Sequence, residues 1–332
     1  MSAPTIPSTQ KAIRIHKTGD FDVVQLDKDV AVPEISDTQI LVKNAYAGIN
    51  FIENYFRIGL YPASYPLTLG REGAGEVVKV GAKVTKFAVG DKVSYVNPNA
   101  YAQYTALEQA AKVLKNPEGI DTKLGAASLL QGLTALTFVK EAYEVKAGDY
   151  ILVHAAAGGT GSIIVQLAHH FGAHVIGTVS TPEKAQIAKE NGADYIINYK
   201  TEDIVERVNE ITKGQGVQGV FDGVGKSTFE TSLAALARKG TLVSFGNASG
   251  PVPPVSLLSL SAKNLKILRP TLFNYIYSVD EWKYYSELLF KLIADKVVRI
   301  KVSNVYPLEK TRDGLRDLFE GKTTGKLLVE ID

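Results

Sequence analysis

The sequence predicts an α/β chain in which a β-rich domain accompanies a doubly wound parallel sheet, and three observations carry that prediction. Short alternating segments, divided by glycine and proline turns, fill the stretch from Lys11 to about Asn116. From Gly148 to Leu272 strand-like and helix-like segments alternate, as the βα units of a parallel sheet do. At the first strand-to-helix junction of that series stands a glycine turn, HAAAGGTG, from His154 to Gly161.

The β-rich part contains segments such as QILVKNAY and GAGEVVKVG, separated by turns like GLYPASYP and VGDKV, and reads as a partly open barrel. The alternating part runs DYILVHA, SIIVQLAHHFG, AHVIGTVS, PEKAQIAKENG, ADYIINY and TEDIVERVNEITKG, then QGVFDGVG, STFETSLAALARKG, GTLVSFGN and LKILRPTL. Six strands with helical crossovers make a doubly wound sheet. An amphipathic helix, DEWKYYSELLFKLIADKV, follows, and VRIKVSNVYPL and GKLLVEID are again strand-like. The expected division is therefore 1–133 with 273–332 for the β-rich domain, and 134–272 for the parallel sheet.

Composition limits what such a chain does. Its 332 residues amount to about two domains at roughly 150 residues each, enough to bury real cores. Hydrophobic residues make up 45% and charged residues 22%, which excludes a disordered or disulfide-dense chain. The net charge of +2 is dispersed and too small for a nucleic-acid footprint. No cysteine is present, which excludes disulfides, thiolate catalysis and sulfur-ligated zinc and suits a reducing compartment. The opening MSAPTIPSTQKAIRIHKTG lacks the apolar stretch of a leader, and no apolar run reaches bilayer length. A cytoplasmic location is expected.

The glycine turn has the spacing Ala156-x-Gly158-x-x-Gly161, a dinucleotide fingerprint with alanine in the first glycine position. Gly158 lets backbone N–H groups approach a pyrophosphate, with Gly159 and Thr160 beside it, and the helix from Ser162 presents its positive end. Gly161 allows the helix to pack on the sheet. A turn that merely packs is the competing reading, and the full strand series behind the loop weighs against it. Thr160 stands either to bond the cofactor or to cap the helix.

NAD enzymes usually carry an acid about 20 residues past the glycines, at the end of the second strand. Here that strand ends Gly177-Thr178-Val179-Ser180, and Glu183 falls in the following helix turn beside Lys184. Ser180 and Lys184 suit a 2′-phosphate, a donor and a compact cation, with Tyr199 ending the third strand against the same group. The expected cofactor is NADPH, against the plainer reading of Lys184 as a solvated helix residue.

These residues together resemble the medium-chain dehydrogenase/reductase superfamily, and within it the quinone oxidoreductases of the ζ-crystallin group. The matching segments are GINFIENYFRIGLYP, LGREGAGEVVKVG, GDKV, QGLTA, HAAAGGTG, TVSTPEKAQIAKENGAD, INY, VFDGVG and VSFGN, spread over almost the whole chain. The resemblance implies a GroES-like catalytic domain, a Rossmann domain, NADPH, reduction of quinones or related enones, and a homodimer. Some members of that group are lens structural proteins and some bind AU-rich RNA, so it also carries an alternative, an NADPH-responsive RNA-binding or structural protein. No RNA-binding motif is recognisable in this sequence.

The superfamily includes zinc alcohol dehydrogenases, whose catalytic metal needs three ligands of Cys, His or carboxylate type. The family's first cysteine corresponds to Asn50, and the histidine of its Gly-His-Glu motif to Arg71 in Gly70-Arg71-Glu72. His169, His170 and His174 are close in sequence, but Gly172 is expected to end the helix before His174 so that they need not share a face, and no metal site is expected. His154 reads as a strand-end histidine satisfied by local hydrogen bonds.

From the resemblance, Asn50, Tyr55 and Tyr61 fall in the substrate pocket, with either tyrosine hydroxyl reaching the acceptor oxygen, and Glu53 helps shape that site through hydrogen bonds. Most of the 16 tyrosines are expected to be packing residues. The resemblance places Thr134 on the pyrophosphate and nicotinamide side, Val224 at the adenosine, and Phe245 and Asn247 at the end of the fifth strand. It places Leu272 and Phe273 beneath the nicotinamide, and Lys326 reaching the cofactor from the returning strand. Ordinary core packing is the alternative for Phe245, Leu272 and Phe273.

Overall fold

The computed structural model describes residues 6–332. The chain divides into two compact units, one made of the residues up to Leu130 together with those from Ile300, the other of Gln131–Arg299.

The first unit opens with β1 (Thr9–Ile15), β2 (Gln25–Ala31) and β3 (Gln39–Ile49), followed by the short helix α1 (Ile52–Arg57). Then come β4 (Leu67–Thr68), β5 (Gly73–Val80), β6 (Lys92–Tyr95), β7 (Tyr104–Glu108) and β8 (Val113–Lys115). The helix α2 (Thr122–Thr137) carries the chain across the division. The second unit contains β9 (Tyr150–Val153), α3 (Gly159–His170), β10 (His174–Val179), α4 (Pro182–Glu190), β11 (Tyr195–Asn198) and α5 (Ile204–Thr212). It continues through β12 (Val217–Asp222), α6 (Phe229–Ala235), β13 (Leu236–Ser244), β14 (Lys266–Leu268), α7 (Leu272–Tyr275) and α8 (Val279–Ala294). The chain then rejoins the first unit as β15 (Val302–Pro307), α9 (Thr311–Phe319) and β16 (Lys326–Glu330).

In the first unit a seven-stranded sheet runs β15-β16-β3-β5-β6-β8, with β7 also paired to β3, and β2-β1-β4 form a smaller sheet. This is the β-rich domain the turn-punctuated sequence predicts. β3 and β5 lie close because residue 75 has no side chain: a Cβ there would fall 2.0 Å from the Lys43 carbonyl oxygen. Ile13, Ile15, Ile40, Val42, Tyr95, Tyr101 and Leu107 form the heart of the core. The return of the chain is fixed by pairing, since β16 runs antiparallel to β3 with Leu327 opposite Ile49.

In the second unit the six strands are parallel in the order β11-β10-β9-β12-β13-β14. The first-numbered strand lies inside and the order reverses between β9 and β12, where doubly wound sheets bind ligands at the carboxyl ends of their strands. Continuous buried runs such as Ile151–Val153 and Val175–Val179 suit strands covered on both faces. The helices begin at side-chain caps: Thr181 before Pro182, Asp203 accepting from Glu206 N at 2.8 Å, and Ser278 with Glu281 in a reciprocal capping box.

Two expectations change. The segment STFETSLAALARKG is helical only to Ala235, because buried Leu236 already adopts extended geometry and begins β13. Residues 273–299 pack in the second unit and not in the first. Gly132 of α2 lies so close to Leu289 of α8 that an added Cβ would fall 2.8 Å from its Cδ2, and the Tyr285 hydroxyl donates to Glu141. The apolar face of α8 is thus spent inside the second unit.

Candidate active site

The turn after β9 is built by close backbone approach. Ala155 adopts a left-handed conformation with φ of 51°, and Gly158 N donates to its carbonyl at 2.8 Å. A Cβ on Gly161 would lie 2.3 Å from that same oxygen, so the third glycine is what lets α3 start against the turn. Gly158 is the N-cap and Gly159 the first helical residue. The N–H groups of the first turn therefore lack intrahelical partners and gather at the positive end of the helix. Thr160 lies inside the first turn, which removes the capping role the sequence left open for it. The loop fits a pyrophosphate.

Around this loop the carboxyl ends of the strands carry most of the other predicted positions. Ser180 follows β10, Tyr199 follows β11, Val224 lies just past β12, and Phe245 and Asn247 follow β13. Val224 N donates to Asp222 Oδ1 at 2.8 Å, which fixes the start of its loop. The Phe245 ring meets Phe138 edge-on, centroids 5.4 Å apart. In the amide orientation that satisfies both groups, Asn247 donates to the Gly246 carbonyl and accepts from Arg269, each at 3.0 Å. Leu272, beyond β14, is buried, Phe273 beside it is exposed, and Thr134 is half-buried on α2.

Lys184 sits in the first turn of α4, its N–H donating to the Thr181 hydroxyl at 3.3 Å. Burial presses its ammonium below the ordinary lysine value, and the nearby positive charge of Lys200 adds to this. Two cations thus share the rim next to exposed Tyr199. Lys200 is not among the residues expected from the sequence, although its place directly after Tyr199 is a readable signal.

Beneath the turn lies a buried polar network. His154 Nδ1 is 3.1 Å from the Thr178 hydroxyl and Nε2 is 3.0 Å from that of Ser232, which donates to Asp222 at 2.9 Å. Both ring nitrogens are engaged, as expected for a strand-end histidine. Burial holds His154 below the ordinary imidazole value, opposed by the charge of Asp222.

In the first unit, Asn50 follows β3 and donates to Glu72 at 2.7 Å, while its oxygen accepts from Lys326 Nζ at 2.9 Å. Lys326 also pairs with Glu72, whose second oxygen accepts from Leu130 N at 2.8 Å. All three side chains are buried. Room for the carboxylate exists because residue 48 is glycine: a Cβ there would fall 2.2 Å from Glu72 Oε1. Lys326, expected at the cofactor, therefore spends its ammonium inside the first unit, and Asn50 holds that assembly together. Burial pushes the Lys326 pKa down, with Glu72 acting in the opposite sense.

Tyr55, on α1, and Tyr61 pack against each other with centroids 5.1 Å apart, and Tyr61 meets Phe56 edge-on at 5.8 Å. Arg71 lies over the other aromatic neighbour of this group, its Cζ 4.2 Å from the Phe56 centroid. Glu53 departs from expectation. α1 turns it fully inward, and neither carboxyl oxygen has a hydrogen-bond partner among the described residues. Desolvation raises its pKa to about 7, against the opposing influence of Arg71.

Comparison with known proteins matches both parts of the chain. Residues 36–189 fit the alcohol dehydrogenase GroES-like domain, and residues 159–291 the zinc-binding dehydrogenase family. The quinone oxidoreductase of Salmonella typhimurium is 44% identical, covering 96% of this chain and 98% of the relative. The chain belongs to the quinone oxidoreductases of the medium-chain dehydrogenase/reductase superfamily. The crystal structure of a Pseudomonas syringae quinone oxidoreductase superimposes with a TM-score of 0.94 at 38% identity, covering 97% of this chain and all of that one (100%). The Escherichia coli quinone oxidoreductase, solved in complex with NADPH, gives 0.93 at 40% identity over 96% of this chain and 99% of that one.

Although one matching family is described as zinc-binding, the residues at its metal positions do not fit zinc. The Asn50 oxygen is taken by the Lys326 ammonium, and Arg71, a cation without an acceptor atom, offers no lone pair to a metal ion.

Removing Glu72 alone strands a buried ammonium. Glu72→Ala is expected to lower stability by about 3–5 kcal/mol in urea unfolding, and Glu72→Leu combined with Lys326→Met to recover most of that loss. For His154 the unfolded chain takes up a proton first, because the native value is depressed. Stability is therefore complete at neutral pH and declines as pH falls below about 6.5. Unfolding measured across that range should show a shallower decline in His154→Gln.

Proposed function

We propose that this chain is an NADPH-dependent, zinc-independent quinone oxidoreductase. The observation that carries the reading is the glycine loop at the head of α3, set at the carboxyl edge of the six-stranded sheet with Lys184 and Lys200 on its rim. Family membership supports it.

NADPH, when bound, supplies a hydride to the acceptor. The Gly158–Gly161 loop and the first turn of α3 hold the pyrophosphate, while Ser180, Lys184 and Lys200 bind the 2′-phosphate with Tyr199 against it. Val224 borders the adenosine. Phe245, Asn247, Leu272, Phe273 and Thr134 line the remainder of the cofactor path. In the first unit Tyr55 and Tyr61 offer hydroxyl groups to the acceptor oxygen. Asn50 and Lys326 act at one remove, by fixing Glu72. A quinone is already electron-poor, so orientation rather than Lewis-acid activation is the protein's main task.

The chain further acts as a homodimer. Leu257 and Leu258 are 80% and 79% exposed, on the segment leading to β14 at the edge of the sheet. An apolar patch beside an open strand edge suits pairing with a second copy. No helix among the described residues is long and apolar enough to cross a membrane, and the cysteine-free sequence fits the cytoplasm.

Loss of nicotinamide absorbance with a quinone should be rapid with NADPH and slow with NADH. Lys184→Ala should weaken NADPH by roughly tenfold or more and leave NADH nearly unchanged; equal losses would overturn the phosphate assignment. Sedimentation should give a dimer for the wild type and a monomer for Leu257→Asp with Leu258→Asp, whereas a monomeric wild type would refute the assembly.

A further inference from the structure

Among the buried polar atoms of the first unit that lack a hydrogen bond to the described residues, those of Glu53 and Arg71 lie near one another. Glu53 is fully buried with both carboxyl oxygens unsatisfied, and the buried Nε of Arg71 also lacks a hydrogen bond. Unsatisfied buried groups are rare and call for an explanation. The two carry opposite charge and lie close enough to influence one another, yet they do not close into an ion pair. Glu53 does not satisfy Arg71, and the guanidinium retains donors for something else.

What that is follows from the neighbours. Arg71 is half-buried and stacks on Phe56, whose ring abuts Tyr61, which in turn packs on Tyr55. The cation is thus anchored by an aromatic face at the edge of the tyrosine pair. A planar guanidinium so held presents N–H groups in a fixed fork and favours an oxygen acceptor that gains negative charge.

We propose that Arg71 binds a carbonyl oxygen of the quinone and stabilises the oxyanion formed on reduction, with Glu53 as its positioning residue. The inference rests on the quinone reductase reading above. In the balanced step, NADPH is oxidised to NADP⁺ as its hydride brings two electrons and one proton to the quinone. A hydroquinone monoanion results, and a second proton, from water, completes the hydroquinone. Arg71 stabilises the monoanion without gaining or losing a proton.

Glu53 tunes this field. The groups facing it are Arg71, Glu72 and Lys326, with the Gly70 N–H nearby but outside hydrogen-bond geometry, and Tyr101, whose hydroxyl donates to the Gly48 carbonyl at 3.0 Å. Burial raises Glu53 to about 7, so it is neutral on the acid side and an anion on the alkaline side. The anion offsets the charge of Arg71, and oxyanion stabilisation weakens as pH rises through that value.

The test is steady-state reduction of an uncharged quinone by the full-length protein, with NADPH affinity measured separately by fluorescence titration. Arg71→Gln should lower kcat/KM for the quinone by roughly a hundredfold and leave the NADPH dissociation constant within about twofold; Arg71→Lys should restore part of the rate. Wild-type kcat/KM should fall above pH 7 or so, and Glu53→Gln should flatten that fall. An Arg71→Gln protein with wild-type kcat/KM overturns the proposal. Should that variant not fold, an Arg71→Lys protein with full rate and unchanged pH profile overturns it equally. A wild type that binds NADPH but reduces no quinone instead overturns the reading beneath it.

Discussion

The buried pair of Glu72 and Lys326 is the constraint on which the first unit depends. Two charges have been taken out of water at a cost of several kcal/mol each, and the surrounding structure is arranged to offset it. Asn50 gives Glu72 a donor and Lys326 an acceptor, Leu130 supplies a backbone N–H, and Gly48 makes the room. The contributors come from four stretches of chain, so the assembly fixes the end of β3, the start of β5, α2 and the start of β16 against one another. The tyrosine-bearing helix α1 begins directly after Asn50 and inherits that position. Such a pair adds less to net stability than its geometry suggests, because desolvation consumes most of the attraction; what it secures is placement.

The same substitution pattern explains why the chain retains a dehydrogenase fold without dehydrogenase metal chemistry. A metal ion would supply one concentrated positive charge held by anionic ligands. Here the enclosed Lys326 ammonium is balanced by Glu72, and the half-buried Arg71 guanidinium is a cation held beside Phe56 and Tyr61. A delocalised guanidinium charge polarises a bound oxygen less strongly than a metal ion, which suits acceptors that are already electrophilic.

Most of the second unit was legible in the sequence because its signals are local. Continuous apolar runs mark strands, and glycine at 161 is demanded by a turn whose backbone atoms lie within a few positions of it. The strand series and the loop followed from spacing, whereas Val224, Phe245 and Asn247 at the strand ends came from the family resemblance. What was not legible depends on distant partners. The partner of Lys326 lies 254 positions away, and nothing near Lys326 announces it. Placing α8 required knowing that Leu289 meets Gly132. The sequence suggests hydrogen bonds for Glu53, and only the inward turn of α1 shows its carboxyl oxygens without a partner among the described residues. Lys200 carries a local signal, but it follows the end of β11 and does not belong to α4, which lies next to the position of the acid in NAD enzymes.

The broken path of the chain has a consequence for its biosynthesis. The second unit is continuous from Gln131 to Arg299, whereas the first is interrupted by it. During translation the ribosome completes the entire parallel sheet before β16 emerges, since domains generally fold as units and N-terminal segments appear first. Until then the Tyr46–Ile49 end of β3 lacks its partner strand and Glu72 lacks its counter-ion, so the first-made strands wait through the synthesis of an intervening domain. The nascent first unit is accordingly the stage at which chaperones have most to protect.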